Sequence, residues 1–171
     1  MRRVLVVFVI VLGLLGQPAS AVDPEPEVPV FPNIAFTTLD GSRQLDIEAF
    51  RGRPLLMTFW ASWCGPCRQE LPELQKLAAE LADKDFALVT INMDQSAVMG
   101  ARFLQKYEID VPVYRMDQRT LMGLGVTSLP TNMLLDPEGR PVMILSGYSP
   151  TVPGEIRRLV LEMDDAPVGP E

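Results

Sequence analysis

The feature that most constrains this chain is a change of period at residue 64. Leu55 to Ala61 is a short apolar run broken only by Thr58 and preceded by Gly52-Arg53-Pro54. Such a run predicts a central strand buried on both faces. From Cys64 to about Asp83 the spacing turns helical: Leu71, Leu74, Ala78 and Leu81 recur on one face, with Glu73, Lys76 and Glu80 between them. Pro72 falls inside this helix and is expected to kink it. A buried strand that runs straight into an amphipathic helix must belong to a layered structure, because each element needs the other's apolar face.

The flanking segments extend that frame. Phe36–Leu39 and Gln44–Leu45 surround Asp40-Gly41, which predicts an N-terminal hairpin. Phe86–Asn92 predicts a second apolar strand, Ser96–Tyr107 a helix with Ser96 as N-cap, Val111–Met116 a strand and Thr120–Leu124 a short helix. Thr131–Leu135 and Val142–Ser146 are expected to pair antiparallel across the turn Asp136-Pro-Glu-Gly139, and Val152–Met163 to close the domain as a helix. The expected fold class is therefore α/β: a mixed sheet with helices on both faces.

The ends of the chain carry address rather than fold. Met1-Arg2-Arg3 is basic, Val4–Gly16 is almost wholly apolar, and Ala19-Ser20-Ala21 is a small-x-small cleavage pattern, so residues 1–21 are expected to be a signal peptide. A helix of that apolar length spans roughly 20 Å, short of a bilayer core of roughly 30 Å. The alternative is an uncleaved anchor, and either form leaves the domain outside the cytoplasmic membrane. Residues 22–32 hold four prolines and suit an extended linker; residues 33–163 form the domain, and 164–171 an acidic tail. Residues 1–21 contain two arginines and no acids, so without them the chain has 13 basic and 22 acidic residues, a net charge of −9. An acidic surface repels phosphate backbones, which argues against a nucleic-acid partner.

The chain's two cysteines stand in Trp63-Cys-Gly-Pro-Cys67. Two intervening residues let the sulfurs bond, and a helix start supplies unpaired N–H groups and partial positive charge that favour a thiolate. Cys64, just before the first turn, is expected to be the exposed nucleophile, and Cys67, within that turn and better shielded, the thiol that resolves a mixed disulfide. Pro66 lacks an N–H and fits the first turn, while Gly65 lets a substrate chain approach closely. Trp63 and Trp60 are candidates for walling the site. Zinc needs about four ligands, and this chain has no histidine and no further cysteine, so no metal or other cofactor is expected beyond the redox-active Cys64–Cys67 disulfide itself. An inert bridge closing so short a loop would restrict the unfolded chain little.

Phe59-Trp-Ala-Ser-Trp-Cys-Gly-Pro-Cys67 resembles the active-site strand and turn of thioredoxins. Gly125-Val-Thr-Ser-Leu-Pro130-Thr resembles their cis-proline loop, and Leu134–Arg140 followed by Gly147 their closing hairpin. Within that superfamily the chain looks most like the TlpA/ResA-type exported reductases, which include the cytochrome c maturation thioredoxins. The leader points there, as do a Cys67–Pro130 segment longer than in plain thioredoxin by roughly one strand–helix unit and Glu70-Leu-Pro72 after the second cysteine. The resemblance implies a thioredoxin fold with an N-terminal hairpin and one strand–helix insertion. It implies a cis bond before Pro130, which lies against the cysteines, and a Leu129 backbone that pairs with substrate. It gives Glu70 a part in the proton chemistry of the thiols, the alternative being an exposed helix glutamate. Plain thioredoxins carry a buried aspartate where this chain has Thr58, and Leu129 departs from the usual Val or Thr.

Gly-Pro between the cysteines is the plain thioredoxin pair, whose potential is low, about −270 mV. That favours a reductase of exported protein disulfides, apocytochrome c among them, over a thiol oxidase. An exported reductase needs electrons across the membrane, so by resemblance a membrane thiol-shuttle protein is the expected donor. A non-catalytic thiol- or copper-binding module is the rival class. Copper delivery usually needs His or Met beside the cysteines; there is no His, and Met57, Met93 and Met133 are expected to be core residues. A peroxidase would need a Thr a few residues before its peroxidatic cysteine and a separate resolving cysteine, and both are missing.

Overall fold

All six residues of Leu55–Trp60 (β3) are buried. In the computed structural model, which describes residues 30–164, this strand pairs in parallel with β4 (Ala87–Asn92) and antiparallel with β6 (Thr131–Leu135). A strand paired on both edges and covered on both faces has no polar side to show, hence its nearly unbroken apolar sequence. The remaining strands are β1 (Ala35–Thr38), β2 (Gln44–Asp46), β5 (Val113–Arg115) and β7 (Pro141–Ser146). Together they form one seven-stranded mixed sheet in the order β2-β1-β5-β4-β3-β6-β7. The β1–β2 hairpin turns at Asp40-Gly41 as expected, with Gly41 at φ 75° and the Asp40 carboxylate accepting from the Ser42 amide.

Alternation along β3 divides the core. Leu56 joins Leu74, Leu77 and Leu81 of the first helical segment and Val152, Ile156 and Val160 of α4 (Val152–Asp164) on one face. Leu55, Met57 and Phe59 face Phe36, Ile47, Val89, Ile91, Met133 and Leu121 of α3 (Gln118–Gly123) on the other. Helices thus cover both faces of a mixed sheet: this is the thioredoxin fold. Each fully buried Leu or Ile stabilises it by roughly 1.5–3 kcal/mol. Met57 and Met133 are core residues, and Met93 packs half-buried against the same cluster.

Several expected boundaries move, each for a local reason. Helix α1 runs from Gly65 to Glu80, uninterrupted through Pro72, and a 3-10 turn (Ala82–Lys84) follows before Asp85 turns left-handed at φ 48°. Strand β5 is shorter than 111–116, because Pro112 has no N–H for the ladder; its carbonyl accepts from both the amide and the hydroxyl of Thr90. Helix α3 starts early because Asp117 caps it, accepting from the amides of Arg119 and Thr120. Ser96 precedes α2 (Ala97–Tyr107) in the N-cap position, but its side chain makes no capping bond. The 3-10 turn Ile47–Phe50 has no counterpart in the sequence pattern; it places Ile47 in the core. Residues 1–29 and 165–171, and with them the expected signal peptide, most of the linker and the tail, lie outside the described residues. Within the expected linker, Phe31 is already tied to the domain: its amide donates to the Gly139 carbonyl and its ring packs on the core.

Candidate active site

Strand β3 ends at Trp60, the chain turns through Ala61–Trp63, and α1 begins at Gly65 with Cys64 as N-cap. Cys64 takes the extended conformation of that position (φ −81°, ψ 105°), and its Sγ accepts from the Cys67 amide at 3.1 Å. One orphan N–H of the helix start thus points at this sulfur. Pro66 sits in the first turn, where its missing N–H costs nothing. The two cysteines are joined, with S–S at 2.05 Å. Cys67 is fully buried as expected, but Cys64 is only 5% exposed rather than open, because it packs into the same apolar cluster as Trp60, Leu71 and Phe103.

The surroundings separate the two tryptophans. Trp60 is wholly buried and packs against Phe103 of α2, with ring centroids 5.2 Å apart. Trp60 and Phe103 belong to the same cluster as Cys64, Cys67, Leu71 and Ile109, so Trp60 backs the disulfide from inside. Trp63 is 68% exposed beside the disulfide, with Pro66 also exposed. A Cβ added to Gly65 would meet nothing within 4 Å, so the space above it is open. The Leu129–Pro130 bond is cis. Leu129 packs against the cluster that holds Cys64 and Cys67, which brings the proline loop beside the disulfide, and the Pro130 carbonyl accepts from the Gly147 amide at 2.7 Å.

Glu70 lies behind the cysteines. Cys67, Glu70, Leu71, Leu74 and Leu77 form the buried stripe of α1, so Glu70 occupies a core position rather than the exposed face. One carboxyl oxygen, Oε1, accepts from Asn132 Nδ2 at 2.9 Å, and the other, Oε2, has no hydrogen-bond partner among the described residues. Asn132 Oδ1 in turn accepts from the Thr58 hydroxyl at 2.8 Å. Thr58 and Asn132 face each other across the antiparallel β3–β6 pair. Thr58, Asn132 and Glu70 are each fully buried. Burial pushes the Glu70 carboxyl up to about 7 from an ordinary 4.5, and the hydrogen bond from Asn132 only partly opposes it. No charged neighbour contributes to the shift. A carboxyl in this setting exchanges a proton near neutral pH.

A second carboxylate secures the loop before Cys64. Asp94, just beyond β4 and 2% exposed, accepts from the Ser62 amide (3.0 and 3.2 Å), the Ser62 hydroxyl (2.9 Å) and Asn92 Nδ2 (2.8 Å). Sequence patterning finds neither Asp94 nor Asn132, since each acts on a residue far away in the chain. The one available signal for Asn132 is an amide side chain in a strand that is otherwise Thr131 and apolar residues, buried along its whole length. Among the described residues no group of three His, Cys, Asp or Glu side chains is placed to hold a metal ion, and no helix is long and apolar enough to cross a membrane.

Residues 26–144 match the Redoxin family. The chain is 27% identical over 118 residues to the thiol-disulfide oxidoreductase ResA of Bacillus thuringiensis subsp. konkukian, covering 68% of this chain and 67% of the relative. A structure from Chlorobium tepidum described as a thiol:disulfide interchange protein DsbE superposes with a TM-score of 0.71 at 27% identity, covering 79% of this chain and 95% of the other. The exposed lipoprotein thioredoxin Etrx1 of Streptococcus pneumoniae superposes at 0.64 and 25% identity, over 77% and 99% of the two chains. A disulfide at a helix start, a cis-proline loop beside it and these relatives agree on one assignment: the chain belongs to the Redoxin family, as a TlpA/ResA-like thiol-disulfide oxidoreductase of the thioredoxin superfamily.

Proposed function

We propose that this chain works outside the cytoplasmic membrane, carried there by residues 1–21, and reduces disulfides of exported proteins through Cys64 and Cys67. Cys64 as N-cap of α1, with Cys67 in the first turn, carries this reading. In the dithiol form the Cys64 thiolate attacks a substrate disulfide. A mixed disulfide forms and one substrate sulfur leaves as a thiolate. Cys67 then loses its proton and attacks the Cys64 sulfur, forming the Cys64–Cys67 bond and releasing the second substrate sulfur. Two electrons pass to the substrate, and its two thiolates take up protons. Glu70, on the same helical stripe as Cys67, is suited to accept the Cys67 proton, its unpartnered oxygen being the receiving atom. Trp63, Gly65 and Pro66 present the surface a substrate chain meets, and Leu129 offers its backbone beside Pro130.

A membrane thiol-shuttle protein restores the dithiol, and apocytochrome c is one substrate class that fits. The likeness to an exposed lipoprotein thioredoxin supports the address, and the Gly65-Pro66 pair supports the direction. Insulin reduction by the full chain and its variants tests the reading. Cys64→Ser should be inactive, and Cys67→Ser should accumulate mixed disulfides through Cys64. Full activity in Cys64→Ser would remove the mechanism, and a potential near −120 mV, that of a strong oxidant, would reverse the direction.

A further inference from the structure

A group of cations lies beside the disulfide in a chain whose net charge is −7. Helix α2 carries exposed Arg102 and Lys106 one turn apart on one side, and no acidic residue. Arg68, in the first turns of α1, reaches across to α2: its Nη1 donates to the Tyr107 hydroxyl at 3.0 Å, and its guanidinium lies 5.4 Å from the ring centroid. Lys106 Nζ stands 5.3 Å from the same ring. Arg102, Lys106 and Tyr107 line an open groove of about 290 Å³ with Ser62, Met99 and Phe103. Ser62 is two residues from Cys64, and Phe103 and Tyr107 pack on the cluster containing both cysteines. The groove therefore borders the loop that leads into Cys64.

These cations differ from others of the domain. Arg51, Arg53, Lys76, Arg140, Arg157 and Arg158 each have a carboxylate partner. Among the described residues, Arg68, Arg102 and Lys106 have none within ion-pair distance; Arg43, Arg115 and Arg119 have none either, but it is Arg102 and Lys106 that line this groove and Arg68 that meets its Tyr107. Burial works against the Tyr107 phenolate, but the hydrogen bond and charge of Arg68, with Lys106, outweigh it and hold the hydroxyl below its usual range. That hydroxyl accepts from Arg68 and keeps its own proton to donate. Met99 (47% exposed) lines the same groove, and Trp63 (68% exposed) stands next to Ser62 in the chain, so the cations have apolar surface near them that a small anion could not use and a peptide could.

We propose that this groove docks an acidic segment of the protein substrate, a stretch bearing Asp or Glu close to the cysteine that exchanges with Cys64. The inference rests on the oxidoreductase reading and adds a substrate preference to it. The carboxylates would meet Arg102, Lys106 and the Tyr107 hydroxyl while the flanking chain covers Trp63 and Met99. On an acidic protein such an island also steers: it orients an acidic partner toward the one edge where its disulfide meets Cys64.

The test uses the full chain, reduced and freed of reductant, with three peptide disulfides of equal length whose cysteines are flanked by Glu, Gln or Lys. Oxidation is followed by tryptophan fluorescence in rapid mixing. At low ionic strength the Glu peptide should react about 10-fold faster than the Lys peptide, with Gln between, and the three rates should converge within about 2-fold at 0.5 M salt. The double variant Arg102→Glu/Lys106→Glu should reverse the order. Arg43→Glu/Arg119→Glu makes the same change in net charge on exposed residues away from the groove and should preserve it. Equal rates for the three peptides at low salt, or an order that survives the groove reversal, would overturn the docking surface. So would an order lost equally in both double variants, which would mark an effect of net charge alone. Failure to reduce even the Gln peptide would instead bring down the oxidoreductase reading.

Discussion

Glu70 makes the stability of this protein depend on pH in a direction opposite to that of an ordinary ion-paired carboxylate. Its carboxyl holds its proton up to about 7 when folded, against 4.5 ordinarily. Between those values the folded chain binds a proton that the unfolded chain has released. Stability therefore falls as pH rises through this window and levels off above it. The gap corresponds to about 3 kcal/mol at full effect, at about 1.4 kcal/mol per pH unit. Glu70→Gln removes the titrating group yet can still accept from Asn132. Urea unfolding of both proteins, disulfide intact, at steps from pH 4 to 8.5 measures the difference. The wild type should lose about 3 kcal/mol relative to Glu70→Gln across the range, most of it between pH 4.5 and 7. Parallel stability curves would show that Glu70 titrates normally, and the proton-acceptor role would go with them.

Other outcomes follow from neighbouring contacts. Thr58→Val leaves Asn132 Oδ1 buried without its donor and should cost about 1–3 kcal/mol in urea unfolding. Asn132→Leu removes the hydrogen bond that favours the Glu70 carboxylate, so the pH midpoint of the Glu70-linked stability change should rise above that of the wild type. Asp94→Ala strands the Ser62 amide and Asn92 amide group. It should destabilise the fold by about 2–3 kcal/mol and slow insulin reduction by loosening the loop before Cys64. Gly100→Ala puts a methyl group 2.9 Å from the Asn92 side chain; a loss of about 1–3 kcal/mol by thermal or chemical unfolding is expected.

Local pattern carried most of the fold. The apolar run at 55–61, the helical stripe after Cys64 and the turn Asp136–Gly139 each appear in place, because strand burial, amphipathicity and turn chemistry are properties of neighbouring residues. The cis bond before Pro130 was legible only through resemblance. Long-range partners were not legible. Asn132 meets Glu70 across 62 residues and Arg68 meets Tyr107 across 39. Such contacts depend on strand register and helix packing, which no single segment encodes. Thr58 shows the limit clearly: by itself it reads as the loss of an acid, whereas in the fold it anchors the amide that holds Glu70.

The unequal exposure of the two sulfurs has a chemical consequence. Cys67 is sealed within the cluster behind the loop, and Cys64 offers only its outer edge. An incoming reagent, whether thiolate or peroxide, can make first contact with residue 64 alone, so damage by over-oxidation would collect there as sulfenic and then sulfinic acid. The inner thiol is spared and can reclaim a sulfenate by condensing with it, expelling water and regenerating the bridge. The burial that leaves Cys64 as the outer sulfur would thus give the centre a means of repairing itself.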